Sequence, residues 1–365
     1  MTDSKKIRVA VLYGGRSGEH EISLESGAAI VANLDKEKFS VIPVSIDKKG
    51  RWLLNDLSVL PNATAKRLDL GNENSVEAIP HADPNQERYF DVIFPILHGT
   101  LGEDGAMQGF LELADLPYVG CGVLSSAACM DKDISKRLVS QMGIPTPDFI
   151  TLQHCRFDPA QLDKLIHTIE ERFGFPVFVK PANTGSSVGV NKVHHAAELL
   201  PALEEAFSLD TKILIEEGLD IREIEVAVLE DLDEQQTTLT SVPGEIIPLS
   251  DEFYSYHAKY LDVDGAKAVI PAELTPTQLA QFHDYSRRIF EGLECAAFAR
   301  IDFFLEKKTG RILFNEVNTL PGFTEISMYP KLWIASGKSY RELLTHLVEL
   351  ALRRYQQRHS LKYLK

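Results

Sequence analysis

No GxGxxG follows a strand in this chain, and no GxxxxGK[ST] segment occurs. The first absence excludes the fingerprint of the dinucleotide-binding dehydrogenases. The second excludes the P-loop. The four cysteines, Cys121, Cys129, Cys155 and Cys295, are scattered and form no CxxC pair. That spacing excludes a zinc ribbon or a thioredoxin-type couple and fits reduced, mostly buried thiols in the cytosol. No apolar run is long enough to span a bilayer, and residues 1–6 lead into a strand without a signal-peptide pattern. No Lys/Arg cluster stands out, and the net charge is -15. Neither a nucleic acid nor an anionic membrane is therefore expected as a partner. Repeats and low-complexity tracts are missing too.

What is present is an ordinary globular composition, 44% hydrophobic and 25% charged, over 365 residues. That length suggests two or three domains. The first part alternates apolar strands (7–13, 41–47, 91–97) with helices (21–34, 106–114). This βαβ pattern predicts a parallel sheet with ligands near the carboxyl ends of its strands. The polar stretch 55–86 predicts irregular surface packing. One helix is expected over 125–142, stopped by Gly143 and Pro145-Thr146-Pro147, with a domain boundary just before it. The middle block predicts helix 159–173, strand 176–181, a Gly-Ser loop, strand 188–193, helix 196–207 and strand 212–216. The last block predicts strand 223–229, a loop over 250–265, helix 277–293, a hairpin, and helical stretches from Ser327 and Tyr340.

The hairpin carries the most chemistry. Residues 299–304 and 314–318 read as strands joined by the turn Lys307-Lys308-Thr309-Gly310. Alternate strand residues share a face. A hairpin centred on Thr309 therefore sets Asp302 opposite Glu316 and Arg300 opposite Asn318. Like charges directly opposed destabilise a sheet unless something bridges them. All-oxygen ligands point to a hard cation as the bridge, Mg²⁺ or Mn²⁺. Such an ion keeps positions for substrate phosphates, which suggests a nucleotide. A solvated polar hairpin is the alternative, although Phe303, Phe304, Phe314 and Val317 flank the polar residues.

Other segments add donors. Gly14-Gly15-Arg16-Ser17-Gly18-Glu19 follows the first strand, as a tight turn or an anion cradle. Glu19 would there bind a cationic amine instead. His98-Gly99 and Gly102-Glu103-Asp104-Gly105 end an apolar strand at a ligand-facing position, or form a turn capped by Asp104. Lys180 closes another strand before Pro181-Ala182-Asn183-Thr184-Gly185-Ser186-Ser187. An ammonium beside small-residue backbone amides suits di- or triphosphate oxygens. A flexible loop with a solvated lysine is the alternative. The crossing from Glu216 and Glu217 through Gly218 can read an adenine edge, or serve only as a hinge.

Taken in order, these motifs resemble those of the ATP-grasp ligases, specifically the D-alanine–D-alanine ligase family, over essentially the whole chain. The resemblance rests on Gly14-Gly15, Glu19-His20-Glu21-Ile22-Ser23, His98-Gly99, Gly102-Glu103-Asp104-Gly105, Met130-Asp131-Lys132 and Lys180-Pro181 with the following loop. It continues through Ala258-Lys259-Tyr260, Arg300-Ile301-Asp302 and Glu316-Val317-Asn318-Thr319-Leu320-Pro321-Gly322-Phe323-Thr324. It implies an α/β chain of three-domain ATP-grasp architecture with an N-terminal Rossmann-like (pre-ATP-grasp) domain. Residues 1–124 would form a parallel α/β domain binding the first D-alanine. Residues 125–218 would be the central subdomain with the Gly-Ser phosphate loop. Residues 219–365 would be the C-terminal subdomain with the metal site and a lid loop, 250–265.

The implied activity is ATP-dependent joining of two D-alanines through a D-alanyl phosphate, for peptidoglycan precursor synthesis. A related ligase taking D-lactate or D-serine second is the alternative. By the same resemblance Lys132 and Lys180 bind ATP phosphates, with Ser187 and Asn315 also in the nucleotide site. Glu216, Glu217 and Leu219 line the adenine and Glu223 meets the ribose. Asp302, Glu316 and Asn318 hold two Mg²⁺ (or Mn²⁺). Glu19 binds the ammonium of the first D-alanine, and His98 and Met328 border the substrates. Arg300 and the Gly322 N–H stabilise the tetrahedral centre. Ser327 and Lys259 hold the second carboxylate. Ser186 and Tyr260 link to Glu19 and order the lid. Tyr at position 260 goes with D-alanine as second substrate, Phe with D-lactate. Glu217-Gly218 and Met328 depart from the residues usual in the family. A cytoplasmic homodimer, paired through the N-terminal domain, is also implied.

Overall fold

The computed structural model describes residues 6–55, 68, 76–77, 89–233, 235, 237–249 and 266–362. The first of its sheets contains β1 (Ile7–Gly14), β2 (Phe39–Ile46), β3 (Trp52–Leu54), β4 (Val76–Glu77) and β5 (Val92–Ile96), in the order β4-β3-β2-β1-β5. β1 pairs in parallel with β2 and with β5. Strands covered on both faces need continuous apolar runs, and β5 is buried along its whole length. α1 (His20–Asn33) follows β1, and α2 (Ala106–Leu113) follows β5. β3 and β4 add antiparallel edges, and β4 lies within the stretch expected to be irregular. Two or three residues are too few to show a period of two.

The sequence predicts one helix over 125–142, but the structure has two, α3 (Val123–Met130) and α4 (Lys132–Gln141). Asp131 separates them in an extended conformation, and its carboxylate accepts from the Ile134 N–H at 3.0 Å. An N-capping aspartate of this kind starts a new helix. The break also lets the Lys132 N–H donate to the Ala182 carbonyl at 3.0 Å, in the next sheet's loop.

The second sheet is antiparallel, in the order β6 (Phe149–Gln153), β9 (Lys212–Glu217), β7 (Val177–Pro181), β8 (Asn191–Val193). α5 (Leu162–Arg172) and α6 (Leu199–Leu209) contribute Ile169, Leu203 and Ala206 to one core with Val177, Val179, Ile213 and Ile215. The strand expected over 188–193 starts only at Asn191. Ser186 and Ser187, at φ of 49° and 60°, and Gly189, at 73°, turn the chain out of the extended region.

The third sheet joins β10 (Ile221–Glu230), β11 (Thr238–Thr240), β12 (Gly244–Pro248), β13 (Ala266–Val269), β14 (Phe298–Glu306) and β15 (Ile312–Asn318). Its order is β13-β12-β10-β14-β15, and β11 also pairs with β10. α7 (Pro276–Gly292) packs Phe282, Ile289 and Phe290 against Val226, Ile301 and Phe303. α8 (Met328–Ala335) and α9 (Tyr340–His359) cover the other side. Their Leu332, Leu343 and Leu347 share a core with Ala227 and Leu229 of β10 and with Val9, Val11 and Phe94 of the first sheet. That shared core fixes the first sheet's carboxyl ends beside the third sheet's hairpin. Among the described residues no helix is long and apolar enough to cross a membrane. Cys121, Cys129 and Cys295 are buried, and Cys155 is exposed.

Candidate active site

The β14–β15 hairpin has the register that the sequence predicts, with Arg300 paired to Asn318 and Asp302 to Glu316. On the other side of β14, Glu225 of β10 is also paired with Asp302. Three carboxylates thus stand in a row across neighbouring strands. Basic side chains bridge them. Arg300 donates to both Asp302 oxygens, Nε to Oδ1 at 2.7 Å and Nη2 to Oδ2 at 2.6 Å. Its Nε is also 3.1 Å from Glu225 Oε2. Lys132 Nζ lies 3.3 Å from Glu316 Oε2 and donates to the Thr184 carbonyl at 2.7 Å. Burial alone would lower the Arg300 pKa, but Asp302 and Glu225 hold it well above its ordinary value. Sequence reasoning gave Glu225 no role, though the alternation Glu223-Ile224-Glu225 was its signal.

Among the described residues, no group of three or more His, Cys, Asp or Glu side chains is placed to hold a metal ion. The expected set has two carboxylates and the Asn318 amide, whose Oδ1 accepts from the Leu320 N–H at 3.0 Å. Such oxygen donors suit a hard cation, provided that Arg300 releases Asp302.

A second charged cluster lies behind the Gly-Ser loop. Lys180, at the end of β7, donates from Nζ to Glu216 Oε1 at 2.5 Å. Lys136, one turn after Lys132 on α4, places Nζ 2.8 Å from Glu216 Oε2. Lys136 is 0% exposed and Glu216 1%. Burial alone would raise the Glu216 pKa; Lys136 and then Lys180 outweigh it and hold the carboxyl at about 2. Burial pushes Lys136 down, opposed chiefly by Glu216. The Glu216 carboxylate is committed to these lysines, which leaves its backbone for any adenine edge. Glu217 turns aside, accepting from the Asp148 N–H at 2.9 Å.

Glu19 sits at the head of α1, where Ser186 Oγ of the Gly-Ser loop donates to its Oε1. Two glycines give that carboxylate room. A Cβ on Gly99 would stand 2.7 Å from Glu19 Oε2, and one on Gly185 2.9 Å. Ser17 Oγ accepts from the Glu19 N–H at 3.2 Å and donates to the His98 carbonyl at 2.6 Å. The buried His98 ring lies between Ser26 Oγ (Nε2, 3.0 Å) and the Leu320 carbonyl (Nδ1, 3.2 Å). Its Nδ1 is 3.5 Å from Glu103 Oε1. Burial raises the Glu103 pKa, and the nearby Glu19 adds to this. Burial, which the sequence does not display, is what singles out Glu103.

Two adjoining cavities collect these groups. One of about 180 Å³ is lined by Glu19, His98, Ser186, Arg300, Asn318, Gly322, Ser327 and Met328. The other, of about 60 Å³, is lined by Lys180, Ser187, Glu223, Asp302 and Asn315. Lys132, Thr184, Glu225 and Glu316 line both. Leu219 lines neither of the two. Lys259 and Tyr260 lie outside the described residues. The arrangement offers a carboxylate for an amine in one cavity and ammonium groups for an anion in the next. Arg300 lines the larger cavity and donates to Asp302 in the wall of the smaller one.

Two family models match the chain. Residues 8–121 match the D-ala D-ala ligase N-terminus, and residues 138–349 the D-ala D-ala ligase C-terminus. The chain is 50% identical over 370 residues to a D-alanine–D-alanine ligase A from Bradyrhizobium diazoefficiens, covering 98% of each. It is similar to the solved D-alanine-D-alanine ligase from Coxiella burnetii, at 35% identity and a TM-score of 0.79, over 98% of this chain and 97% of that one. It is also similar to a D-Ala:D-Ser ligase from Enterococcus faecalis, at 34% identity and a TM-score of 0.80, over 95% of this chain and 100% of that one. The fold is of the ATP-grasp type.

Proposed function

The chain belongs to the D-alanine–D-alanine ligase family, whose members are ATP-dependent ligases, and from that premise we propose that it joins two D-alanines into D-alanyl-D-alanine. One observation carries the reading. The carboxylate of Glu19 lines one cavity and the ammonium groups of Lys132 and Lys180 line the adjoining one, while Arg300 lines the first and grips Asp302 of the second. The relative at 50% identity bears the D-alanine name, which favours D-alanine over D-serine as second substrate.

ATP first phosphorylates the carboxylate of one D-alanine, giving a D-alanyl phosphate and ADP. Glu19 holds that D-alanine's ammonium, and Ser186 fixes the carboxylate that does so. Lys132 and Lys180 draw in the phosphate oxygens, with Ser187 and Asn315 beside them. Backbone from Glu216 to Leu219 would border the adenine and Glu223 the ribose. Asp302, Glu316 and Asn318 would hold Mg²⁺ or Mn²⁺. When bound, such an ion neutralises phosphate charge against an approaching carboxylate. The amine of the second D-alanine then attacks the acyl carbon, and phosphate leaves. Its carboxylate would be held by Ser327 and Lys259. Arg300 and the Gly322 N–H would meet the developing oxyanion. Residues 250–265, expected as a lid that keeps water from the acyl phosphate, lie outside the described residues.

The division into 1–124, 125–218 and 219–365 is supported by the three sheets, which fall in those ranges in chain order, although its first boundary falls inside α3. Pairing into a homodimer through the N-terminal domain is supported by the exposed apolar Leu113, Val123 and Leu124. A cytoplasmic site of action, supplying peptidoglycan precursors, fits the use of ATP. The test is a phosphate-release assay with ATP, Mg²⁺ and a panel of D- and L-amino acids plus D-lactate. Phosphate should appear only with D-alanine, one for one with dipeptide. Release that ignores D-alanine would overturn the proposal.

A further inference from the structure

Lys136 has no place among the roles above, yet it is the most deeply buried cation described. It shares a face of α4 with Lys132, four residues earlier. Lysine is almost never fully buried unless paired. Its partner is Glu216, at 2.8 Å but without hydrogen-bond alignment. The other Glu216 oxygen accepts from Lys180. Beyond them, Glu316 also exerts an attraction on Lys136, and Lys132 answers that carboxylate.

The charges can be counted. Glu216 and Lys180 alone would be a closed, neutral pair. Lys180 would then present little net charge to an anion. Lys136 adds a second cation to the same carboxylate, so the cluster retains one positive charge. Of the three residues, Lys180 lines the cavity expected to take phosphate. The excess charge can therefore be expressed only there.

We propose that Lys136 is a positioning residue for nucleotide phosphate: by neutralising Glu216 it keeps the charge of Lys180 available to an anion in the cavity. The inference rests on reading that cavity as the nucleotide site. The depressed Glu216 carboxyl agrees with it, because the ionised form is the one two ammonium groups would stabilise.

Calorimetric titration of the whole chain with Mg²⁺-ADP, and with adenosine as a phosphate-free probe, tests it. Lys136→Met keeps the length of the side chain and removes its charge. It should weaken ADP binding on the order of tenfold and leave adenosine binding unchanged. The double variant Lys136→Met/Glu216→Gln should recover most of the loss, because glutamine no longer neutralises Lys180. A merely structural role predicts the reverse, with the double variant as weak as the single one or weaker. Should Lys136→Met fail to fold by circular dichroism, the double variant decides alone: near-wild-type ADP affinity supports the proposal and weak binding overturns it. A wild type that binds ADP, with no rescue in the double variant, overturns this inference only. A wild type that binds no nucleotide overturns the proposed function and this inference with it.

Discussion

Glu216→Gln should change how the protein responds to acid. The carboxyl is held from an ordinary 4.5 down to about 2 by Lys136 and Lys180, against the effect of burial. At about 1.4 kcal/mol per tenfold, that preference for the ionised form is worth roughly 3 kcal/mol. Because the folded-state value is the lower one, this stability is fully present above pH 4.5. It is lost as pH falls through that value toward 2. By about pH 3 the loss should be roughly 2 kcal/mol. Lys136, pushed down from 10.5, changes its contribution at higher pH and does not blur this window. Other carboxyls such as Asp133 are also lowered, so the difference between wild type and variant is the informative quantity. The variant starts less stable at neutral pH, because it leaves two buried ammonium groups facing each other. Urea unfolding followed by Trp52 and Trp333 fluorescence, stepped from about pH 6 to pH 3, reads both slopes. Wild-type stability should fall more steeply, by the amount given. Parallel curves would refute the claim that the lysines hold this carboxylate in the folded chain.

Three further outcomes follow from the same geometry. Gly99→Ala, at φ 78° and with a Cβ 2.7 Å from Glu19 Oε2, should displace that carboxylate and raise the KM for the first D-alanine by about tenfold or more; an unchanged KM separates Glu19 from substrate binding. Asp302→Asn and Glu316→Gln should each abolish turnover and weaken Mg²⁺ binding while circular dichroism stays native, and near-normal activity in either would remove the metal site. Tyr260→Phe should raise depsipeptide over dipeptide when D-lactate competes with D-alanine, since one hydrogen bond to a charged network is worth about 1.5–3 kcal/mol; a constant product ratio would take Tyr260 out of the specificity argument.

Some of this was legible from residues alone, and the reasons are specific. The strands at Val9–Tyr13 and Val92–Ile96 announce themselves because strands buried on both faces must be continuously apolar. The hairpin register could be derived because a short turn fixes which residues oppose. The break at Asp131 could not, since the helical period runs straight through it. What marks it is the Asp131 cap on the Ile134 N–H together with a tertiary bond, from the Lys132 N–H to the Ala182 carbonyl. The pairing of Lys136 with Glu216 is hidden for the same reason. In sequence Lys136 looks like any solvated lysine of a helix, and only the folded chain, which sets α4 against β15 and brings Glu216 of β9 to it, buries it. The opposed carboxylates Asp302 and Glu316 are legible from the hairpin, with a cation from solution expected between them. What the sequence does not display is that Arg300 answers Asp302 and Lys132 answers Glu316 within the chain.

These ion pairs bear on how the site can accept a nucleotide. The smaller cavity is lined by Lys132 and Lys180 but also by Glu223, Glu225, Asp302 and Glu316. Its described walls are therefore more acidic than basic, although its expected guest is a polyanion. Carboxylates at a few ångströms from phosphate oxygens repel them strongly in a partly dry cleft. Arg300 cannot offset this while it grips Asp302 and faces Glu225, because its charge is already spent on them. Positive charge would then have to arrive with the nucleotide, and Asp302 and Glu316 are the carboxylates that would hold a hard divalent ion supplying it. The same event would free the Arg300 guanidinium from Asp302 while Glu225 retains its Nε. One arginine could thus stabilise the empty hairpin and later turn toward the oxyanion. On this argument Asp302→Asn should fail through phosphate neutralisation rather than through unfolding, since it removes a charge from a cleft that is short of cations only when the nucleotide is present.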